Sequence, residues 1–164
     1  MNNQMIINNG DIVADNWSIV AKDADSVPEG ENLVLPLALW LQNQNFLETR
    51  KDIGVWFDSE DLPTADLAPA LKLLPLIAIN FPVFTDGRGF SIARLLRDRF
   101  AYQGELRAIG YVLRDQLCFM KRCGFNSFVL PENADLAAAA ASLNDFTEYY
   151  QTSVDQPQPL FRRI

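Results

Sequence analysis

The hydrophobic positions of this chain follow one pattern up to about residue 50 and a more regular one after it. In the first part the apolar runs are short and separated by polar turns. Residues 5–13 predict a small hairpin, because Asn9 and Gly10 suit the positive φ angles of a tight two-residue turn. Residues 17–20 predict a third short strand.

A polar loop over residues 22–32 separates these strands from an apolar run at residues 33–41. Pro36 lies near the start of that run, and the first turn of a helix tolerates proline. The run therefore predicts a short helix over residues 36–44.

From residue 53 onward, patterns of buried strands alternate with patterns of amphipathic helices. Four apolar runs predict strands, at residues 53–57, 76–80, 106–109 and 127–130. A predicted helix follows each strand, at residues 66–74, 91–101, 112–123 and 134–149. Four successive βα units favour a parallel sheet, either open and doubly wound or a half-barrel that a second copy of the chain would complete.

The pattern predicts one α/β domain over residues 1–150, with a hairpin and helix in residues 1–50 and the βα units in residues 53–150. Residues 151–164 form a polar tail whose end is basic and apolar. Such an end could latch onto a second subunit or onto the body of its own chain, and we predict a homodimer.

Composition excludes much of the usual catalytic chemistry. The 164 residues include no histidine, which removes Ser-His-Asp catalysis, Cys-His catalysis and histidine-ligated metal sites. Two cysteines are too few for a four-cysteine zinc site or an iron–sulfur cluster. No apolar stretch reaches the ~20 residues that span a bilayer, and the start does not resemble a signal peptide. We therefore expect a cytoplasmic protein without a cofactor, a metal or a membrane partner.

The formal net charge of −7 disfavours the binding of nucleic acid. The charge is uneven, because residues 86–122 carry eight of the 14 basic residues and only four acidic ones. This basic window could hold an anion, dock on an acidic partner or be solvated helix surface.

In parallel α/β folds, ligands bind in the loops that follow the carboxyl ends of the strands. The predicted loop at residues 80–91 is long for such a connection, which usually needs ~2–6 residues. Its Gly-Arg-Gly sequence precedes a predicted helix, where backbone amides attract anions and an arginine adds a two-pronged grip. We predict that a small oxyanion binds there; the alternative is a structural loop in which Asp86 caps the turn and pairs with Arg88. The candidate ligand-binding residues are Asn80, Thr85, Asp86, Gly87, Arg88, Gly89 and Ser91, together with Arg114 and Asp115 of the next loop.

A histidine-free enzyme is the alternative interpretation of the same residues. Asp86 and Asp115 would act as acid and base, and Arg88 and Arg114 would clamp an anionic substrate. An aspartate base of this kind needs a pKa raised by burial. The acidic cluster at residues 58–61 could ligate magnesium, but such clusters more often cap a helix, and we predict no metal.

The two cysteines are predicted to lie on opposite faces of one helix. Cys118 shares a stripe with Arg114 and Arg122, a setting that favours a reactive thiol, whereas Cys123 lies on the apolar side. Because they face apart, we expect no disulfide between them.

Several stretches resemble a bacterial family of unknown function over about residues 6–150. They are GVWFD at residues 54–58, LPLIAINFP at 74–82, FTDGRGFS at 84–91, GELRAIG at 104–110, VLRDQ at 112–116 and RCGF at 122–125. Members are often labelled as oxidoreductases involved in sulfite reduction, because their genes tend to lie beside those for sulfite or nitrite reductase. The resemblance implies an accessory role in assimilatory sulfur metabolism and supplies no catalytic residue.

The leading interpretation is therefore an accessory protein that uses its strand-end loops to hold a small anion or to dock on the reductase. The enzyme described above is its rival. A scaffold that binds acidic protein surface through the basic window is the third interpretation.

Overall fold

The computed structural model describes residues 4–47 and 49–163. Within them one sheet contains eight strands: β1 (Met5–Asn8), β2 (Asp11–Ala14), β3 (Ser18–Ile19), β4 (Leu33–Pro36), β5 (Ile53–Phe57), β6 (Leu76–Phe81), β7 (Glu105–Gly110) and β8 (Ser127–Phe128). The α-helices are α1 (Leu37–Gln42), α2 (Gln44–Leu47), α3 (Ala68–Leu71), α4 (Arg88–Arg94), α5 (Leu117–Arg122) and α6 (Leu136–Ser142). A π-helical turn (Leu95–Arg99) continues α4, and 3-10 turns lie at Arg114–Gln116 and Leu160–Arg162.

The strand order in the sheet is β2-β1-β8-β7-β6-β5-β4-β3. Strands β3 to β8 are parallel and each pairs with the next in sequence, whereas β1 is antiparallel to both β2 and β8. Right-handed crossovers between sequential neighbours all return on the same side of a sheet, so the helices cover one face. A doubly wound sheet needs a reversal of strand order, which the parallel strands lack. The protein thus has a mixed α/β fold with an N-terminal hairpin and a half-barrel sheet.

The sheet is curled because its two edge strands are nearly continuous in sequence. Only Asp15, Asn16 and Trp17 lie between β2 and β3. This short connection spans at most ~14 Å, whereas the edges of a flat sheet of this width would be roughly 34 Å apart. Residues 11–19 therefore act as one bent strand that pairs with β1 at its start and with β4 at its end.

The parallel part of the sheet has six strands, and four were predicted. The predicted strand at residues 17–20 becomes β3, beside β4. Pro36 is the last residue of β4 and precedes α1, whereas the prediction placed it inside the first helical turn. All four residues of β4 are buried, and a buried strand that runs directly into a helix gives one apolar run without a diagnostic period.

The helices after β5, β7 and β8 are shorter than predicted. The predicted helix at residues 134–149 is only α6, which Asp135 caps by accepting a hydrogen bond from the Ala138 amide at 2.9 Å. The segment predicted as a helix at residues 112–123 starts with an extended Leu113 and a 3-10 turn before α5. No helix in residues 4–47 and 49–163 combines the length and the apolar character needed to cross a membrane.

A charged network lies on the sheet face away from the main core. This face carries a small apolar cluster of Val34, Trp56, Leu76, Ala78 and Ile109. Beside it, Arg107 of β7 is only 1% exposed. Its guanidinium contacts Asp15 at 2.8 Å, Glu105 at 2.7 Å and Ser127 at 3.2 Å. Arg107 therefore ties the bent edge segment to the middle of the sheet.

The C-terminal tail packs on its own chain. Ser153 is 8% exposed, accepts a hydrogen bond from Arg94 at 3.1 Å and donates one to the Arg122 carbonyl. Asp155 lies 3.7 Å from Arg122. These contacts hold residues 153–155 on the body of the same chain. They do not involve the basic, apolar end of the tail, so the latch at that end and the homodimer stay predictions.

Candidate functional site

A polar cluster lies where the carboxyl ends of β5 and β6 meet the loop after β3. Asp58 directly follows β5, and its carboxylate accepts hydrogen bonds from the Ser59 amide at 2.9 Å and from Asn80 Nδ2 at 3.1 Å. Its other oxygen pairs with Lys22. Burial disfavours the charged form of Asp58, but the bonds from Lys22 and Asn80 outweigh it and hold the pKa of Asp58 below its usual range. The hydrogen bond to Asp58 in turn raises the pKa of Lys22.

Asp86 and Arg88 form a two-pronged ion pair within the loop between β6 and α4. Arg88 donates from Nε to Asp86 Oδ1 at 2.9 Å and from Nη2 to Oδ2 at 2.7 Å. The Arg88 amide also donates to Asp86 Oδ1, at 3.1 Å. Because Arg88 holds its carboxylate, the pKa of Asp86 is well below its usual range. Arg88 reaches further to Ser59 Oγ, at 3.0 Å, and so links this loop to the end of β5.

The Asp86 carboxylate therefore occupies the arginine fork that the sequence analysis assigned to an external oxyanion. Four acidic side chains lie around the two basic ones here: Asp58, Glu60, Asp61 and Asp86 against Lys22 and Arg88. Thr85 and Ser91 are exposed, and neither side chain makes a hydrogen bond within the described part of the chain. An external oxyanion would have to displace Asp86.

The two loop glycines have different roles. Gly87 has a φ of −85° and open space around its Cβ position, with Phe90 no nearer than 3.9 Å, so it does not need the freedom of glycine. Gly89 is buried, and a Cβ there would lie 2.7 Å from the Phe81 ring. Gly89 thus allows the start of α4 to pack directly on β6.

Arg114 and Asp115 are exposed in the 3-10 turn after β7. Within the described residues, neither side chain forms a hydrogen bond or an ion pair with Asp86 or Arg88. The two loops touch instead through Phe84 and Tyr111, whose ring centroids are 6.4 Å apart. No direct contact thus joins the predicted acid–base pair within the described residues, and the lowered pKa of Asp86 makes it a weak base.

These two loops present an apolar surface that sequence reasoning did not single out. Val83 is 53% exposed, and Phe84 and Tyr111 are each 51% exposed. Arg88 and Arg114 are exposed in the same two loops, and we call these five residues together the docking face. The Tyr111 amide donates to the Phe81 carbonyl at 2.7 Å, which holds the loop after β7 against the end of β6.

The cysteines lie in different surroundings, as predicted. Cys123 is 3% exposed, and burial raises the pKa of its thiol. Cys118 is half-buried, and its Sγ lies 2.7 Å from the Tyr149 hydroxyl. Burial and this contact raise the pKa of Tyr149 to about 12, while the Arg122 guanidinium lies over the Tyr149 ring at 3.9 Å. Cys118 thus contacts the segment that precedes the tail.

Lys22, Asp58 and Ser59 belong to the polar cluster and were not among the candidate site residues. Asp58 directly follows a predicted buried strand, and the rule that selected residues 80–91 selects it as well, but the sequence analysis weighed residues 58–61 only as magnesium ligands. Lys22 lies in a polar loop, and no sequence pattern marks it as a site residue. Across residues 4–47 and 49–163, no group of three or more acidic or cysteine side chains is arranged to hold a metal ion.

Fold and loops together define an α/β half-barrel protein whose strand-end loops carry an exposed aromatic and basic surface. The family model of a bacterial protein of unknown function, DUF934, matches residues 54–161, and the chain belongs to that family. No curated protein and no solved structure matches the chain.

Proposed function

We propose that this chain is a non-catalytic accessory protein that docks on a partner protein through the docking face. The observation that carries the proposal is the exposure of Val83, Phe84 and Tyr111, each about half exposed, beside Arg88 and Arg114. Tyrosine, phenylalanine and arginine are enriched at protein–protein interfaces and supply many of the residues that dominate binding energy.

The docking face has the rigidity that favours binding. Phe84 packs against Tyr111, and the Tyr111 backbone is bonded to the end of β6. Arg88 is held by Asp86 and Ser59. Side chains that are already ordered lose little conformational entropy when a partner binds, so more of the contact energy becomes affinity.

The positive charge of the docking face rests on Arg114, because Asp86 neutralises Arg88. Arg114 is exposed and has no ion-pair partner within the described residues, and it lies in the basic window of an otherwise acidic chain. Positive charge at the rim of an interface steers an acidic surface toward it and speeds association. The family resemblance suggests that this partner is the cytoplasmic sulfite or nitrite reductase, which gives the chain its accessory role in assimilatory sulfur metabolism.

Biolayer interferometry with the purified sulfite reductase tests the proposal. We expect Phe84→Ala to weaken binding at least tenfold, because removal of a central aromatic anchor commonly costs about 2 kcal/mol. Arg114→Ala should mainly slow association and reduce its salt dependence. Phe46→Ala, at a phenylalanine that is 71% exposed on α2, and Arg99→Ala, at an exposed arginine, are the matched controls. Equal losses for the control variants, or no binding by the wild type, would contradict the proposal.

Binding of a small oxyanion at Arg88 is a second candidate function. Its support is that two N–H groups of Arg88 bind a carboxylate, that of Asp86, which the external anion would have to displace. Calorimetric titration with sulfate, sulfite and phosphate tests it. Wild type should bind one of these ions and Arg88→Ala should not, whereas absence of binding to wild type excludes the candidate.

A further inference from the structure

Residues 143–159 join α6 to the last 3-10 turn without a helix or a strand. Connections of this length without regular structure are uncommon in compact domains and often serve a function. Residues 149–156 of this connection lie at the carboxyl ends of α4 and α5, where they contact Arg94 and Arg122. We call residues 149–156 the strap.

Arg122, the last residue of α5, holds the strap at several points. Its guanidinium carbon lies 3.9 Å from the centre of the Tyr149 ring, and its Nε lies 3.7 Å from Asp155 Oδ1. The Arg122 carbonyl accepts hydrogen bonds from the Ser153 hydroxyl and from the Val154 amide. One residue therefore contacts the strap along nearly its whole length.

The strap is held by polar contacts and has little apolar anchorage. Of its eight residues only Ser153 is buried, and Tyr150 is 75% exposed. Within residues 4–47 and 49–163, the buried side-chain atoms that lack a hydrogen-bond partner are Arg122 Nε, Gln156 Oε1 and Arg163 Nε. The first two belong to the strap contact, and Arg163 donates to the Tyr149 carbonyl at 2.6 Å. Because unpartnered buried polar atoms cost free energy and few apolar contacts are lost, such a segment opens at low cost.

We propose that the strap is a gate that opens as one unit while the sheet stays folded. In the closed state the Tyr149 hydroxyl lies 2.7 Å from Cys118 Sγ, and the strap covers the Arg122 side chain, which is 13% exposed. Opening would bring the Cys118 thiol and the Arg122 guanidinium into solvent together. The strap thereby controls access to a basic surface that carries a thiol. The proposal does not rest on the docking function, and either can fail without the other.

Alkylation of the full chain by iodoacetamide, followed by mass spectrometry, tests the gate with Cys118 as the reporter. Ser153→Ala removes the hydrogen bonds to Arg94 and to the Arg122 carbonyl and leaves the Tyr149 contact of the thiol in place. Because the strap opens as one unit, this variant should speed alkylation of Cys118 at least about fivefold. Ser26→Ala, at an exposed serine of the loop after β3, is the control and should leave the rate unchanged.

Amide hydrogen exchange followed by NMR measures the same opening on the wild type. The Ser153, Val154 and Gln156 amides donate hydrogen bonds within the strap or to Arg122, so they should share one degree of protection. We expect this protection to be at least about tenfold smaller than that of the β6 amides, which exchange when the sheet opens. In Ser153→Ala it should fall by the factor by which Cys118 alkylation rises.

Two exchange results would overturn the proposal. Strap amides as protected as those of β6 would show that the strap opens only with the sheet, and amides without protection would show that it is not closed. An unchanged Cys118 rate in Ser153→Ala, or an equal increase in Ser26→Ala, would overturn it as well. If Ser153→Ala does not fold, the exchange of the wild type decides.

Discussion

Replacement of Arg107 by methionine perturbs the network that holds the bent edge segment to β7. The side chains of Arg107 and Asp15 are 2% and 4% exposed, and their nearest atoms are 2.8 Å apart. Methionine keeps much of the length of the arginine stem but has no charge. The Asp15 carboxylate would then be buried without its counter-charge.

The size of the effect follows from this burial. Breaking a buried ion pair by removing one partner costs about 3–5 kcal/mol, because the remaining charge stays out of water. The Trp17 amide still donates to Asp15 Oδ1 at 3.0 Å and compensates only in part. Total stabilities of small domains are about 5–15 kcal/mol, so Arg107→Met should lose a large fraction of the free energy of unfolding.

Urea denaturation followed by tryptophan fluorescence measures this loss, since Trp17 and Trp56 lie on the same sheet face. Arg99→Met is the control at an exposed arginine and should change stability by no more than about 0.5 kcal/mol. The double variant Arg107→Met with Asp15→Asn removes both charges. Its loss should be at least about 1 kcal/mol smaller than the sum of the single losses. A cost below about 1 kcal/mol for Arg107→Met, or additive losses in the double variant, would refute the reasoning.

Three further predictions concern the strand-end loops and the thiols. Gly110→Ala should lower the free energy of unfolding by more than about 1 kcal/mol in urea denaturation. Gly110 has a φ of +85°, and a Cβ there would lie 2.5 Å from a carbonyl oxygen of β6. The control Gly87→Ala should leave stability unchanged. In native alkylation followed by mass spectrometry, Cys118 should react and Cys123 should stay protected, and the reverse order would contradict the described burial. The Asp86 pKa is lowered in the folded state, so its ion pair stabilises the fold above about pH 4 and loses this effect as the pH falls. Asp86→Asn should therefore reduce the loss of stability in acid, and an unchanged pH profile would speak against this ion pair.

The strands of the half-barrel could largely be predicted, because buried parallel strands are continuous apolar runs. The runs at residues 53–57 and 76–80 become β5 and β6 with nearly the same bounds. Leu33–Pro36 was missed because the strand joins α1 without a polar break. Period and propensity are local signals, and they cannot separate two apolar elements that follow each other directly.

The burial of Arg107 and its ion pair with Asp15 could not be predicted from the sequence pattern. In β7, Leu106 and Ala108 face the main core, so alternation places Arg107 on the other face. Its burial there depends on Asp15, which is 92 positions away in the sequence and approaches only because the sheet curls. A charged side chain in a strand is usually exposed to solvent. Arg107 is buried because the curled sheet brings Asp15 against it.

The candidate site could likewise be predicted only in part from the sequence. The strand-end rule selected the loop at residues 80–91, and the Asp86–Arg88 pair and the exposed Phe84 lie in it. The sequence analysis took the arginine to be available for a ligand. In the structure Asp86 holds it, as in the alternative of a structural loop, and the choice between the two interpretations depends on loop geometry that residue types alone do not determine.

Hydrogen–deuterium exchange of this chain, with and without the purified sulfite reductase, tests the docking proposal most directly. The backbone amides of residues 82–91 and 110–116 form or flank the docking face, so bound reductase should slow their exchange. Exchange at the opposite end of the sheet, around residues 9–10 and 121–126, should stay unchanged. Slowed exchange confined to that opposite end, or no change anywhere at saturating reductase, would contradict the account.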